Sequence, residues 1–121
     1  MKTETVTIYH NPRCSKSRET LALLQERGIE PKIVLYLQDP PDAATLRQVF
    51  GQLDRPLTDA IRFKEAAAKE LGVSASDARA PDEWCRLLAE HPALLERPIV
   101  VRGGRARLGR PPHAVLELFE D

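Results

Sequence analysis

The chain has few of the groups that would tie it to a metal scaffold, a membrane or a nucleic acid. Its two cysteines, Cys14 and Cys85, are too few for a disulfide framework. Three histidines, at positions 10, 91 and 113, form no zinc-ligand spacing with them, so no metal is expected. Neither sign of charge is in excess: 18 Lys and Arg balance 18 Asp and Glu. A nucleic-acid or anionic-membrane binder would carry a basic surplus. No apolar run approaches the roughly 18–20 residues needed to span a bilayer, and the polar opening Met1-Lys2-Thr3-Glu4 is no signal peptide. A cytoplasmic protein is expected, with free thiols and no membrane or nucleic-acid partner. No internal repeat, low-complexity segment or linker breaks the chain.

What remains is a globular composition. Apolar residues make up 42% of the 121 and charged residues 30%, enough for one domain over 1–121 with one core. The basic residues are unevenly chosen: thirteen are Arg and five Lys. Arg97, Arg102, Arg105, Arg107 and Arg110 fall in a fourteen-residue stretch without Asp or Glu. Guanidinium groups grip tetrahedral oxyanions through paired hydrogen bonds. A local cluster in a neutral protein therefore reads as a small-anion site.

The pattern along the chain is β-α-β, a helical stretch of about sixty residues, then β-β-α. Thr5–Tyr9 alternates as a strand, and a helix runs from Ser15 to Arg27 with Gly28 at its end. Ile33–Leu37 is continuously apolar and reads as a buried strand. Helices follow over 43–53, over Thr58–Leu71 and from Pro81 to His91. Pro98–Val101 and Arg105–Leu108 form a hairpin across Gly103-Gly104, and a last helix runs from Pro111 to Phe119. These elements predict an α/β fold, a four-stranded mixed sheet flanked by helices. Pro98, entering the third strand, is well placed for a cis peptide.

Cys14 falls in the turn between the first strand and the first helix. A sulfur there faces unpaired backbone N–H groups and the positive end of the helix dipole, both of which favour thiolate. Arg13, Lys16 and Arg18 add positive charge. The same N–H groups can hold an oxyanion beside the nucleophile. A structural half-buried cysteine is the plainer alternative. Ser17 stands where a C-x-x-C motif would carry its second cysteine, so Cys14 can be resolved only by an external thiol or by Cys85. Cys85, between Trp84 and Leu87 on a helix, reads as packing. His10 either hydrogen-bonds the Cys14 loop or caps it, and Asn11 and Ser17 either donate to the thiolate or cap the helix. Arg62, between Ile61 and Phe63, reads as part of a solvated helix face.

The segments Tyr9-His10-Asn11-Pro12-Arg13-Cys14-Ser15-Lys16-Ser17-Arg18, Glu96-Arg97-Pro98-Ile99-Val100-Val101 and Arg107-Leu108-Gly109-Arg110-Pro111 resemble the glutaredoxin-dependent arsenate reductase family. The resemblance runs from about residue 5 to 120 and is closest to short, chromosomal members. It implies a thioredoxin-like fold with an inserted helical subdomain at about 42–95 and a cis peptide between Arg97 and Pro98. It also implies reduction of arsenate to arsenite. Cys14 would attack arsenate, glutathione would serve as co-substrate without any bound cofactor, and glutaredoxin would supply the second reduction. The family's three anion-handling arginines fall on Arg62, Arg97 and Arg110, and its loop histidine on His10. Arg102, Arg105 and Arg107 then become bystanders. Some plasmid-type members carry a cysteine where this chain has Gly109.

Two other functions fit a reactive Cys14. One is a glutathione-linked thiol oxidoreductase acting on mixed disulfides. The other is a Spx-like redox regulator binding RNA polymerase. Those resembling the Spx type use C-x-x-C as a switch, which Ser17 removes, and the arginines favour a tetrahedral anion over a disulfide.

Overall fold

A computed structural model describes residues 5–120. Four strands form one mixed sheet: β1 (Val6–His10), β2 (Lys32–Leu35), β3 (Ile99–Arg102) and β4 (Arg105–Leu108), in the order β2-β1-β3-β4. β1 runs parallel to β2 and antiparallel to β3, and β3 is antiparallel to β4. The helices are α1 (Ser15–Glu26), α2 (Ala43–Gln52), α3 (Ala66–Leu71) and α4 (Pro81–Glu90). Segments of 3-10 helix lie at Leu57–Ala60, Pro92–Leu94 and Pro112–Phe119. The predicted element order and mixed sheet are thus found. Among the described residues no helix is long and apolar enough to cross a membrane.

Period-two alternation along the central strands divides the interior into two layers. Val6 and Ile8 of β1 and Val100 of β3 pack with Leu24 of α1 and with Val115 and Leu118 of the last 3-10 segment. Tyr9, Ile99, Ala106 and Leu108 point to the other face, among Leu46, Val49 and Phe50 of α2 and Trp84, Cys85 and Leu88 of α4. The residues between β2 and β3 thus cover one face of the sheet, and α1 with the C-terminal segment covers the other.

Local chemistry fixes the ends. The Asp42 carboxylate accepts from the Thr45 N–H at 2.8 Å and starts α2, an N-cap of the common kind. Gly72, with φ +71°, ends α3 in the left-handed region. Gly103, with φ +60°, turns the β3–β4 hairpin.

Three expectations change. β2 is an edge strand rather than a buried one: Ile33 is 44% exposed and Leu37, just beyond the strand, 46%. The apolar run is real, but only Tyr36, fully buried, belongs to the core. Thr58–Leu71 is not one helix. After the 3-10 turn, Ile61 pairs with Leu95 as an isolated antiparallel bridge, and the Arg62 N–H donates to the Leu94 carbonyl at 2.7 Å. A tertiary backbone pairing thus outcompetes local helix propensity. The last segment, Pro112–Phe119, is 3-10 rather than α-helical.

The strand register decides where the loops meet. Tyr9 lies opposite Ile99, and Ile99 opposite Leu108. The end of β1, the entry to β3 and the exit of β4 therefore lie at the same end of the sheet. Cys14, Arg97 and Arg110 all follow or precede those ends by a few residues. The Arg97–Pro98 and Arg110–Pro111 peptides are both cis. The resemblance implied the first, and nothing in the sequence pointed to the second.

Gly109 joins two of these loops. Its N–H donates to the Pro98 carbonyl at 2.8 Å. A Cβ at this position would stand 2.6 Å from Pro98 Cγ and 2.7 Å from Thr20 Oγ1. Neither neighbour is the free end of a flexible chain, so Gly109→Ala forces overpacking, which costs about 1–3 kcal/mol. Urea unfolding should show a lower midpoint at unchanged slope.

Candidate active site

β1 ends at His10, Pro12 breaks the strand, and α1 begins at Ser15, which leaves Cys14 as the N-cap residue. Its backbone is extended (φ −93°, ψ 122°). The loop is closed by the Cys14 N–H donating to the Asn11 carbonyl at 3.0 Å, and α1 is opened by the Arg18 N–H donating to the Cys14 carbonyl at 3.0 Å. The Asn11 side-chain oxygen accepts from the Arg13 N–H at 3.0 Å, and Arg18 Nη1 donates to the Pro12 carbonyl at 2.9 Å. Asn11 thus shapes the loop through its own side chain.

The half-buried Cys14 thiol is subject to opposing influences. Burial by itself pushes its pKa up. The Ser17 backbone N–H, a hydrogen bond from the Arg97 side chain, the Lys16 backbone N–H and the Arg97 charge outweigh burial and bring it below the ordinary cysteine value. Arg110 Nη2 adds a longer contact to Sγ at 3.8 Å. The predicted helix-end environment is therefore present, with two guanidinium groups completing it.

Ser17 serves the sulfur through its backbone. Its hydroxyl lies 2.6 Å from His10 Nδ1 and accepts from the Asn11 N–H at 3.1 Å. Both Ser17 and His10 are buried. Burial, followed by the charge of Arg18, lowers the His10 pKa and keeps the imidazole neutral at pH 7. His10 hence acts on the loop through Ser17, the first of the two roles open to it in the sequence.

The three arginines differ in placement. Arg97 lies beside Cys14, and its buried Nε finds no acceptor among the described residues. Arg110 donates through Nε to the Arg97 carbonyl at 3.0 Å, which ties the two loops together. Arg62 is turned to carboxylates instead: Nε donates to Glu65 at 2.9 Å and Nη1 to Glu96 at 3.1 Å. It is only 26% exposed, so the solvated-face reading of Arg62 fails. Its guanidinium lies at the edge of the cluster, with Arg110, Glu65 and Glu96 around a cavity of about 470 Å³.

Arg102, Arg105 and Arg107 hold the C-terminal segment. Arg102 donates to the Leu118 carbonyl at 2.6 Å, Arg105 to the Glu117 carbonyl at 3.3 Å, and Arg107 to the Glu117 carboxylate at 3.0 Å. Cys85 is buried among apolar side chains of α2 and α4, and burial pushes its thiol pKa up. The environments of the two cysteines thus push their thiol pKa values in opposite directions.

Sequence reasoning missed three neighbours. Tyr36, near the end of the apolar run, is fully buried, and its hydroxyl has no hydrogen-bond partner among the described residues although Arg97 and Asn11 lie beside it. Its aromatic character within an apolar stretch signals only core. Glu65 and Glu96 pair with the arginines. Glu96 immediately precedes Arg97, and a carboxylate next to an arginine that the resemblance implies handles the anion was the available signal.

Residues 9–118 match the model of the ArsC family. An arsenate reductase from Neisseria meningitidis serogroup A is 47% identical over 107 residues, 88% of this chain and 91% of that protein. The uncharacterised Escherichia coli K12 protein YfgD is 50% identical over 117 residues, 96% of this chain and 98% of its own length. Among solved structures, an arsenate reductase from Vibrio cholerae superposes with a TM-score of 0.89 at 47% identity, covering 97% of this chain and 99% of that one. The likeness spans both arginine-bearing loops, the Cys14 turn and the helices between β2 and β3, and the chain therefore belongs to the ArsC family, built on its thioredoxin-like fold.

Proposed function

We propose that the protein is a thiol-dependent arsenate reductase in which the Cys14 thiolate attacks arsenic. The observation that carries this reading is the convergence of the α1 N–H groups, the Arg97 guanidinium and Arg110 Nη2 on one sulfur. Those donors favour thiolate over thiol before substrate arrives. They also offer hydrogen bonds to the oxygens of a tetrahedral anion whose central atom sits against Sγ. The buried Arg97 Nε supports the same reading, because a buried donor left without an acceptor costs about 1–3 kcal/mol and a bound oxyanion supplies one.

In the reaction an As–O bond breaks as the S–As bond to Cys14 forms, and the departing oxygen leaves as water. A second thiol then completes the two-electron reduction of As(V) to As(III). Overall, arsenate and two thiols give arsenite, one disulfide and one water. Ser17 offers no neighbouring thiol and Cys85 is buried. The second thiol is accordingly external: glutathione, with glutaredoxin returning the disulfide to thiols. His10 and Asn11 hold the loop through the Ser17 hydroxyl and the Arg13 N–H, and Arg97 reaches the sulfur from the separate loop that enters β3 at Pro98. Arg62 engages the anion only by exchanging a carboxylate partner for it. The protein would work in the cytoplasm, where thiols stay reduced.

Arsenate-dependent NADPH oxidation, coupled through glutathione reductase with glutathione and glutaredoxin, tests the reading directly. The parent should turn over and Cys14→Ser should not. Absent turnover in a parent whose Cys14 alkylates rapidly would favour a thiol oxidoreductase acting on mixed disulfides. Cys85→Ser should leave the rate nearly unchanged, and a large loss would make Cys85 the resolving thiol. Arg97→Ala and Arg110→Ala should each lower kcat/KM by about two orders of magnitude, as loss of an oxyanion donor does. The pH profile of iodoacetamide alkylation adds a separate check. Its midpoint in the parent should lie below the value of about 8.5 for free cysteine. In Arg97→Ala it should move up, because both a hydrogen bond and a positive charge favouring thiolate are lost.

A further inference from the structure

One carboxylate touches all three arginine positions. Glu96 Oε1 accepts from Arg62 Nη1 at 3.1 Å and from the Arg97 backbone N–H at 3.3 Å, and it stands 3.0 Å from Arg110 Nε. Its side chain is 19% exposed, so its charge is largely withdrawn from water and directed into the cluster. Glu65 reinforces it at the outer side, 2.9 Å from Arg62 Nε and 3.9 Å from Arg97 Nη1. Arg62, Arg97 and Arg110 thus face Glu65, Glu96 and the Cys14 thiolate, three charges of each sign. An arriving anion does not meet three uncompensated guanidinium groups.

We propose that Glu96 is a positioning residue of the oxyanion site that also sets how tightly the site holds anions. Its charge stands beside Arg110 Nε, whose N–H is donated to the Arg97 carbonyl, and so reinforces the clamp that leaves Nη2 directed at Cys14. It holds Arg62 in a carboxylate pair. It also places a negative charge where tetrahedral anions gather and so lowers the site's affinity for all of them. Simple anions such as phosphate are then held weakly, and retention of arsenate depends on its bond to Cys14. The inference rests on the oxyanion reading of the Cys14 pocket.

Glu96→Gln separates charge from shape, since the amide oxygen can still accept from the same donors. Removing one partner of a buried ion pair leaves the arginines uncompensated, and a bound anion then fills the carboxylate's electrostatic role. Phosphate protection of Cys14 against iodoacetamide should tighten roughly tenfold, the effect of one unit charge several ångströms away in a partly buried site. The KM for arsenate should fall in parallel without a rise in kcat. Glu96→Ala, which also removes the acceptor, should tighten phosphate protection too, but with a lower kcat because Arg110 is less well held. Unchanged or weaker phosphate protection in either folded variant overturns the role of Glu96, since a merely structural carboxylate gives no gain in affinity. A different result marks failure of the underlying reading. If neither phosphate nor arsenate protects Cys14 in the parent, the pocket is no oxyanion site, and the proposal falls with it.

Discussion

Two rungs of the sheet, Tyr9 opposite Ile99 and Ile99 opposite Leu108, decide where the chemistry sits. Cys14 follows the C-terminal end of β1, Arg97 precedes β3 and Arg110 follows β4. Only an antiparallel β1–β3–β4 arrangement in this register brings the three loops to one end of the sheet. A slip of one residue would reverse the faces of Val6, Ile8 and Val100, exposing one core layer and burying the wrong side chains in the other. Hydrophobic packing on both faces thus fixes positions that are themselves polar. The site inherits its geometry from the core.

Within that geometry the electrostatics is a balance rather than an accumulation of positive charge. Burial works against the Cys14 thiolate, and N–H groups and a guanidinium overcome it. Arginine side chains gather at the sulfur, yet Glu65 and Glu96 stand among them. The ring of His10, kept neutral, acts through the Ser17 hydroxyl rather than through charge. A pocket arranged this way holds its donors in place before any ligand arrives, and that preorganisation is what makes such donors effective.

Much of this was legible in the chain. Strand alternation at Val6–Tyr9, the hairpin at Gly103-Gly104 and the helix starting after Cys14 are short-range signals, and they survive folding. The thiolate-favouring environment followed from a cysteine at a helix start, whereas the density of arginine was a poorer guide, since Arg102, Arg105 and Arg107 hold the C-terminal segment. What failed depended on contacts distant in sequence. The apolar run Ile33–Leu37 gave no sign that β2 lies at an edge, because that is a property of sheet order. The helical pattern of Thr58–Leu71 gave way at Ile61 to a bridge with Leu95, more than thirty residues away. Periodicity likewise could not select Arg97 and Arg110 from five neighbouring arginines. The resemblance singled them out, and the β3–β4 register supplies the physical reason. It set Arg62 beside them, and the structure places that side chain among carboxylates.

The contact at Gly109 bears on how such a site can change over time. The family resemblance implies a cysteine at this position in some plasmid-type members, where this chain has Gly109. Here the space for any side chain is already filled by the Pro98 ring and by Thr20 Oγ1, and the Thr20 hydroxyl is itself committed to the Lys16 carbonyl at 2.8 Å in the first turn of α1. A mutational path from this sequence to an extra thiol must therefore pass through Thr20 or the Pro98 loop before it reaches position 109. A third cysteine at position 109 would have to displace the Pro98 and Thr20 contacts that stand beside Arg97 and the first turn of α1, so packing alone opposes an extra thiol there.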